Sequence, residues 1–373
     1  MEHFGGYGTQ PYWMPDPIAG GKTSQIQKGT GYVSISIISA HYRSDGNFWQ
    51  KLFGGSDKVT LTTGIVHTSG AKQTSSASIE DTRKFDVGKP SYFGLGNHFI
   101  ALKLPTDCDG IEVSVSIAAV KSDNLIGALN LLNSGELKST LQLAPPAVSE
   151  SLAIAGVVKK LLTSTDPQTT LQGVYGGKVS EGAISDPIKD SCLCTGYLIL
   201  LYRESDNDLN LDGLEGSRFT ITDNVLKYDG HAVPSSYVVL RYSFDEVRGM
   251  DRDADWFNTF SAANAAVDDL ATAADDKERQ KIFASAISLY KQGHKLLQAD
   301  PSYTANEAEA ISADRLAQLM KKYQKPVSSN QLLADLAPQN AIPASLSKIT
   351  VGELTSVSER YRTTLRQYNL KSF

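Results

Sequence analysis

The chain has 373 residues, enough for two or three domains and for a sizeable core without disulfide or metal staples. Apolar residues make up 41% and charged residues 21%, which excludes general disorder and low-complexity architectures. The formal charge of −5 argues against non-specific nucleic-acid binding, which relies on clustered Lys and Arg to displace counterions.

The first residues, Met1-Glu2-His3-Phe4-Gly5-Gly6, carry neither the basic nor the apolar region of a secretory signal. The longest apolar run, Cys192 to Tyr202, falls far short of the ~20 residues a membrane-spanning helix needs. The three cysteines (Cys108, Cys192 and Cys194) have no framework spacing, which suggests a reducing compartment. The expected location is the cytoplasm, or a particle assembled after cytoplasmic synthesis.

Residues 1–28 are rich in Gly, Pro and aromatics and have no period of 2 or 3.6, so a flexible N-terminal arm is expected. Tyr7, Tyr12 and Trp13 are its adhesive side chains. A first β-rich domain over 29–120 is read from alternating runs at Tyr32 to Ile38, Val59 to Val66, Phe99 to Leu104 and Ile111 to Ile117. A helical connector over 121–165 follows, with apolar faces through Leu125 to Leu132 and Leu152 to Leu162.

Strands return over 166–248, at Leu171 to Tyr175, Gly196 to Tyr202, Arg218 to Thr222 and Tyr237 to Tyr242. Thr195-Gly196-Tyr197-Leu198 echoes Thr30-Gly31-Tyr32-Val33; two related sandwiches or chance would each account for that.

A helical bundle over 249–325 is read from three stripes. These are Trp256, Phe260, Ala263, Val267 and Leu270; Ile282, Ala286, Leu289, Gly293 and Leu296; and Ala308, Ile311, Arg315 or Leu316, Leu319 and Tyr323. Residues 326–373 form a polar linker and an amphipathic helix with Leu354, Val357, Tyr361, Leu365 and Tyr368 on one face. The expected fold class is α+β: one or more antiparallel sandwich-like domains, then a small bundle and a terminal amphipathic helix.

No catalytic residue or cofactor site is read from the sequence. Gly20-Gly21-Lys22-Thr23 resembles the end of a phosphate loop, but Asp16 stands at the first glycine position and no strand precedes it. Asp208, Asn210 and Asp212, followed by Gly213, match the start of a calcium loop, with Glu215 nearby. Phe219 stands where the bidentate Glu belongs, so an acidic solvated turn is preferred to calcium binding. Asp251, Asp253 and Asp255 alternate before Trp256 and suit a helix N-terminus.

The six histidines lack metal spacing, and Cys192 and Cys194 read as buried small hydrophobes. Cys108, flanked by Asp107 and Asp109, has its thiolate disfavoured.

Three functional expectations result. The first is a non-enzymatic structural or interaction protein, a subunit of a larger assembly, using Tyr7, Tyr12, Trp13, Leu354, Val357, Tyr361, Leu365 and Tyr368 for contacts with protein partners or further copies. The second is calcium-assisted binding of a lipid or glycan. The third is an enzyme of unrecognised type, with a polar pocket around His98, His231 or Cys108.

Overall fold

A computed structural model describes residues 9–16, 23–43, 56–69, 72–86, 89, 91–119, 169–185, 188, 190–202, 214–323, 351–368 and 370. The expected helical connector, the Gly20-Gly21-Lys22 segment, Tyr7 and Asp208 to Gly213 lie outside these residues. The protein is α+β, strand-rich first and helical later, and its residues form two compact units. One comprises residues 1–28 and 33–244, the other residues 29–32 and 245–373.

Thirteen strands are described: β1 (Thr9–Met14), β2 (Tyr32–Tyr42), β3 (Ser56–Ser69), β4 (Lys72–Asp86), β5 (Ser91–Phe93), β6 (His98–Pro105) and β7 (Gly110–Ala119), then β8 (Thr169–Lys178), β9 (Gly196–Tyr202), β10 (Phe219–Thr222), β11 (Val225–Tyr228), β12 (His231–Ala232) and β13 (Tyr237–Asp245). A large sheet runs β1-β9-β13-β2-β5, with β6 also paired to β2. A second sheet runs β4-β3-β7-β8, and β10-β11-β12 form a third, small sheet.

The large and second sheets share one apolar core. Val33, Ile35, Ile37, Leu198, Leu200, Val238 and Leu240 come from the first, and Val59, Leu61, Ile111, Val113, Val115 and Ile117 from the second. This is sandwich packing, with inward residues of two sheets interleaved.

The β-rich part therefore does not divide at 120 and 166. β9 and β13 lie in the same sheet as β2, and β8 pairs with β7. The two echoing segments Thr30–Val33 and Thr195–Leu198 feed strands of one sheet, not two sandwiches. The apolar alternation was legible, but strand partners are chosen by the complementarity of whole faces, which no short run displays.

β2 also departs from the half-buried strand expected. Ser34, Ser36 and Ser39 are as buried as their apolar neighbours. Their hydroxyls are used locally: Lys103 N–H donates to Ser34 Oγ at 3.0 Å, and Ser36 Oγ donates to Asn97 Oδ1 at 3.1 Å. Ser39 Oγ donates to the Asn224 carbonyl. Small hydroxylated side chains let polar backbone pack flush against a strand without orphaning donors.

The small sheet covers the other face of the large one. Phe219, Leu226 and Val233 pack on Tyr12, Met14, Tyr197, Ile199, Leu201, Tyr237 and Val239. Its two hairpins close through two-residue turns, Asp223-Asn224 (φ 52° and 61°) and Asp229-Gly230 (φ 51° and 82°). Positive φ at both positions is the type I′ geometry that matches strand twist.

The second unit holds α1 (Asp255–Asp268), α2 (Asp276–Ala299), α3 (Ala305–Tyr323) and α4 (Val351–Gln367) around one core. The α1 stripe is buried as read, from Trp256 to Leu270. On α2 the stripe is borne out in part: Ala286 and Gly293 are buried as read, but Phe283, Ile287, Tyr290 and Leu297 are the large covered residues, Ile282 and Leu289 are half-buried and Leu296 is exposed. The aromatic rings of Phe283 and Tyr290 hide more apolar surface than Ile282 and Leu289, which decides between two stripes of equal period. Gly293 admits the Phe260 ring, since a Cβ there would lie 3.0 Å from it.

Asp275 caps α2 by accepting from Glu278 N–H at 2.8 Å, while Glu278 accepts from Ala274 N–H at 2.6 Å. Asp275→Ala is expected to cost about 1 kcal/mol in urea unfolding.

Candidate functional site

The described parts of the expected adhesive segments are largely covered within the chain. Tyr12 and Met14 are buried, and Trp13 donates from Nε1 to Tyr175 Oη at 3.2 Å while resting against Tyr242. Thr9–Met14 is thus an edge strand antiparallel to β9, not a free arm. On α4, Leu354, Tyr361 and Leu365 are buried among Ile311, Leu316 and Leu319, and Val357 is half-buried. Only Tyr368 of that stripe is exposed, and its hydroxyl accepts from Glu246 N–H at 3.4 Å. An apolar stripe demands cover, and here the cover is intramolecular.

Among the described residues, the sandwich has one side tied by backbone bonds, the closed side, and one side where the strand edges are unpaired, the open side. On the closed side, Lys178 N–H donates to Ser191 O, Leu193 N–H to Lys178 O, Ile26 N–H to Leu193 O and Thr195 N–H to Ser24 O. These bonds tie the end of β8 to the segments beside β1 and β9. On the open side, β4 ends one sheet while β5 and β6 end the other, and no described strand pairs with their outer edges. Such an edge presents a row of backbone donors and acceptors able to template another strand.

The two open edges are clamped together. Phe85 of β4 meets Phe93 of β5 edge-on at 5.0 Å, and the Arg83 guanidinium lies over Gly94, where a Cβ would be 3.0 Å away. A register shift between Leu61 and Thr62 makes Glu80 the extra residue of a β-bulge, since Leu61 pairs with Asp81 and Thr62 with Ile79. Bulges turn side chains inward and blunt an edge. The Glu80 side chain, 5% exposed, accepts from Thr63 and Ser78 hydroxyls and from His98 Nε2 at 2.6 Å.

Beside that clamp, β6 exposes Phe99 (48%) and Leu102 (62%). They are the two most exposed large apolar side chains among the described residues. The β4 half beyond the bulge carries Asp81, Arg83, Lys84 and Asp86, charges that discourage pairing, whereas β6 carries apolar residues at its rim. The arrangement suits strand addition along β6, with Phe99 and Leu102 as anchors.

The reactive groups named from sequence do not converge on a catalytic constellation. His98 is held by Glu80, and His231 is exposed on β12. Cys108 is buried, and its thiol is pushed up to about 12 by burial first and Asp109 second. Cys192 and Cys194 are also buried, outside the regular strands, in isolated bridges to Lys178 and Gln25. Asp255 occupies the first turn of α1, as suits a helix N-terminus, and Asp253 N–H donates to Asp251 Oδ1 at 3.0 Å. Glu215 is exposed before a short 3-10 turn, Gly216–Arg218. Among the described residues no group of three potential metal ligands occurs, and no helix is long and apolar enough to cross a membrane.

Two further features could be taken for sites. A wide cleft of about 480 Å³ is lined by Lys28, Asp109, Lys178, Ser180, Glu181 and Cys192, with Lys28 paired to Asp109 at 2.8 Å. Its lining carries both signs of charge, and burial pushes the Cys192 thiol up, away from nucleophilic use.

In the helical unit, Glu307 is buried beside Tyr361, whose hydroxyl donates to it at 3.1 Å. Arg248 and Gly249 N–H groups donate to its two oxygens at 2.9 and 3.3 Å. Thr304 caps α3 by accepting from Glu307 N–H at 3.2 Å, and its own N–H donates to Tyr32 Oη at 2.9 Å. Burial raises the Glu307 carboxyl against these donors. This set of bonds ties the chain before α1 to α3 and α4, a structural role.

Comparison with known protein families, with curated proteins and with solved structures found no match to this chain.

Proposed function

We propose that this chain is a non-enzymatic structural or interaction protein, a subunit that joins copies of itself through the open side of its sandwich. The observation that carries the reading is the exposure of Phe99 and Leu102 on a strand whose outer edge no described strand covers. Backbone bonds along β6 would supply affinity, and the two side chains would fix register. Of the terminal segments, which the sequence suggested as the contact elements, Thr9–Met14 contributes to this role by completing the sheet, and Val351–Gln367 completes the separate helical unit.

The test is light scattering of the purified chain over a range of concentrations, beside the double variant Phe99→Lys/Leu102→Lys. Both positions are exposed, so the substitutions are expected to change folding stability by no more than about 0.5 kcal/mol. The wild type is expected to form multimers and the variant to remain monomeric. A wild type that stays monomeric throughout, or multimers untouched by the substitutions, overturns the reading.

A further inference from the structure

His41, on β2, is 4% exposed and lies between the rings of Tyr92 on β5 and Tyr237 on β13, at centroid distances of 4.7 and 5.4 Å. Its Nδ1–H donates to the Ser235 carbonyl at 2.9 Å, which assigns the neutral tautomer with a bare lone pair on Nε2. Nε2 is buried and has no hydrogen-bond partner among the described residues.

Ser235 sits in the link between β12 and β13, at the root of the small sheet. Two other bonds hold that sheet down: Ser39 Oγ to the Asn224 carbonyl, and Leu226 N–H to Tyr237 Oη at 2.9 Å. Strands β10–β12 pair with one another and with no described strand of the large sheet, so the small sheet can lift as a unit with its own ladder intact.

We propose that His41 is an acid-sensitive latch: proton uptake at Nε2 releases β10–β12 from the large sheet and uncovers the apolar face of Tyr197, Ile199, Leu201 and Val239.

A proton on Nε2 would be a buried donor and a buried charge with no acceptor, so the closed form refuses it. Burial holds the imidazole below its ordinary 6.5, with Arg43 on the same strand acting in that direction and the Ser235 carbonyl opposing it. Among the described residues, the groups against the ring are Tyr92 from β5, Tyr237 from β13 and the Ser235 carbonyl, none of them an anion near neutral pH, with Arg43 the charge that acts on it. The small sheet's own charged groups include the exposed Arg218–Asp229 pair, Lys227 and His231.

The sign follows from these placements. Once the sheet opens, His41 meets water and takes a proton at its ordinary value, whereas the closed form does not. Closure is therefore unaffected well above pH 6.5 and weakens as pH falls below it. With the open form at its ordinary value, the open population gains at most about tenfold between roughly pH 7.5 and 5.5.

Amide hydrogen exchange across Phe219–Ala232, corrected for intrinsic rates, measures this opening. The wild type is expected to exchange up to about tenfold faster at the lower pH, with β3 and β7 unchanged. His41→Gln is expected to abolish the pH ratio, while His231→Gln keeps it. Ser39→Ala is expected to speed exchange at both pH values by the same factor. A wild-type ratio no larger in β10–β12 than in β3 and β7, or one that survives in His41→Gln, overturns the proposal. Should His41→Gln fail to fold, the wild-type ring titration by NMR decides. Opening that tracks His41 supports the latch, and opening independent of it overturns it.

Discussion

Gly216→Ala is expected to destabilise the protein by about 3 kcal/mol and to dislodge β1 from the large sheet. A Cβ on Gly216 would fall well inside van der Waals contact with the Trp13 carbonyl oxygen and 2.7 Å from the carbonyl carbon. Those atoms are backbone, so no rotamer change relieves the clash. Trp13 is fixed by its pairing with Leu198 and by its rings' contacts with Tyr175 and Tyr242, each at 5.5 Å. The Gly216–Arg218 turn leads directly into β10, whose Phe219 ring packs on Tyr12 at 5.5 Å. Whichever side yields, aromatic surface is exposed. Urea unfolding followed by tryptophan fluorescence reads the loss. An unchanged midpoint would contradict the close approach of β1 to this turn.

Asp314→Ala is expected to cost about 2–3 kcal/mol, the range for losing charge-assisted hydrogen bonds to a buried carboxylate whose cationic partner keeps a third of its surface in water. Asp314 on α3 has a side chain only 1% exposed. One oxygen accepts from Ser358 Oγ at 2.6 Å and from Arg362 Nε at 2.5 Å, both on α4; the other accepts from Gln318 Nε2 at 2.7 Å. Alanine leaves buried Ser358 without its acceptor and Arg362 without its charge partner. Thermal unfolding together with limited proteolysis checks the outcome: a lower midpoint and early cleavage within Val351–Gln367. A loss below about 1 kcal/mol would mean that α4 is held by its apolar stripe alone.

Both effects concern segments near the chain's ends, and the two cases differ in what the sequence allowed one to read. The α4 stripe was plain at helical period, from Leu354 to Tyr368. What covers a stripe is a property of the whole fold, so the period shows that a partner surface exists without naming it. β1 was opaque for a different reason. Its alternation, with Tyr12 and Met14 on one face and Trp13 on the other, is three residues long and preceded by Pro11, which an edge strand tolerates.

β4 escaped notice because it is polar. Its run from Lys72 to Ser78 lacks the apolar alternation of β3, and the register with β3 makes it a strand. Turn chemistry, by contrast, is explicit at one place: Asp229-Gly230 is a strong two-residue hairpin signal.

The candidate site was the least legible part. Phe99 and Leu102 were read within a strand whose apolar residues would face a core, yet β6 lies at the rim of the sheet and leaves them exposed. Glu80 and His98, eighteen positions apart, meet because a single extra residue in β4 turns the carboxylate inward. No local spacing encodes that. His41 likewise reads as one residue of a strand, and its buried, half-satisfied ring follows from neighbours distant in sequence, Tyr92, Tyr237 and the Ser235 carbonyl.

Hydrogen exchange of the native chain compared at low and high concentration tests the central claim most directly. Association through the open side predicts new protection in β6 and along the Lys72–Ile79 half of β4, with Thr9–Met14 and Val351–Gln367 equally protected at both concentrations. Protection that appears instead in those terminal segments, with β6 unchanged, would contradict it.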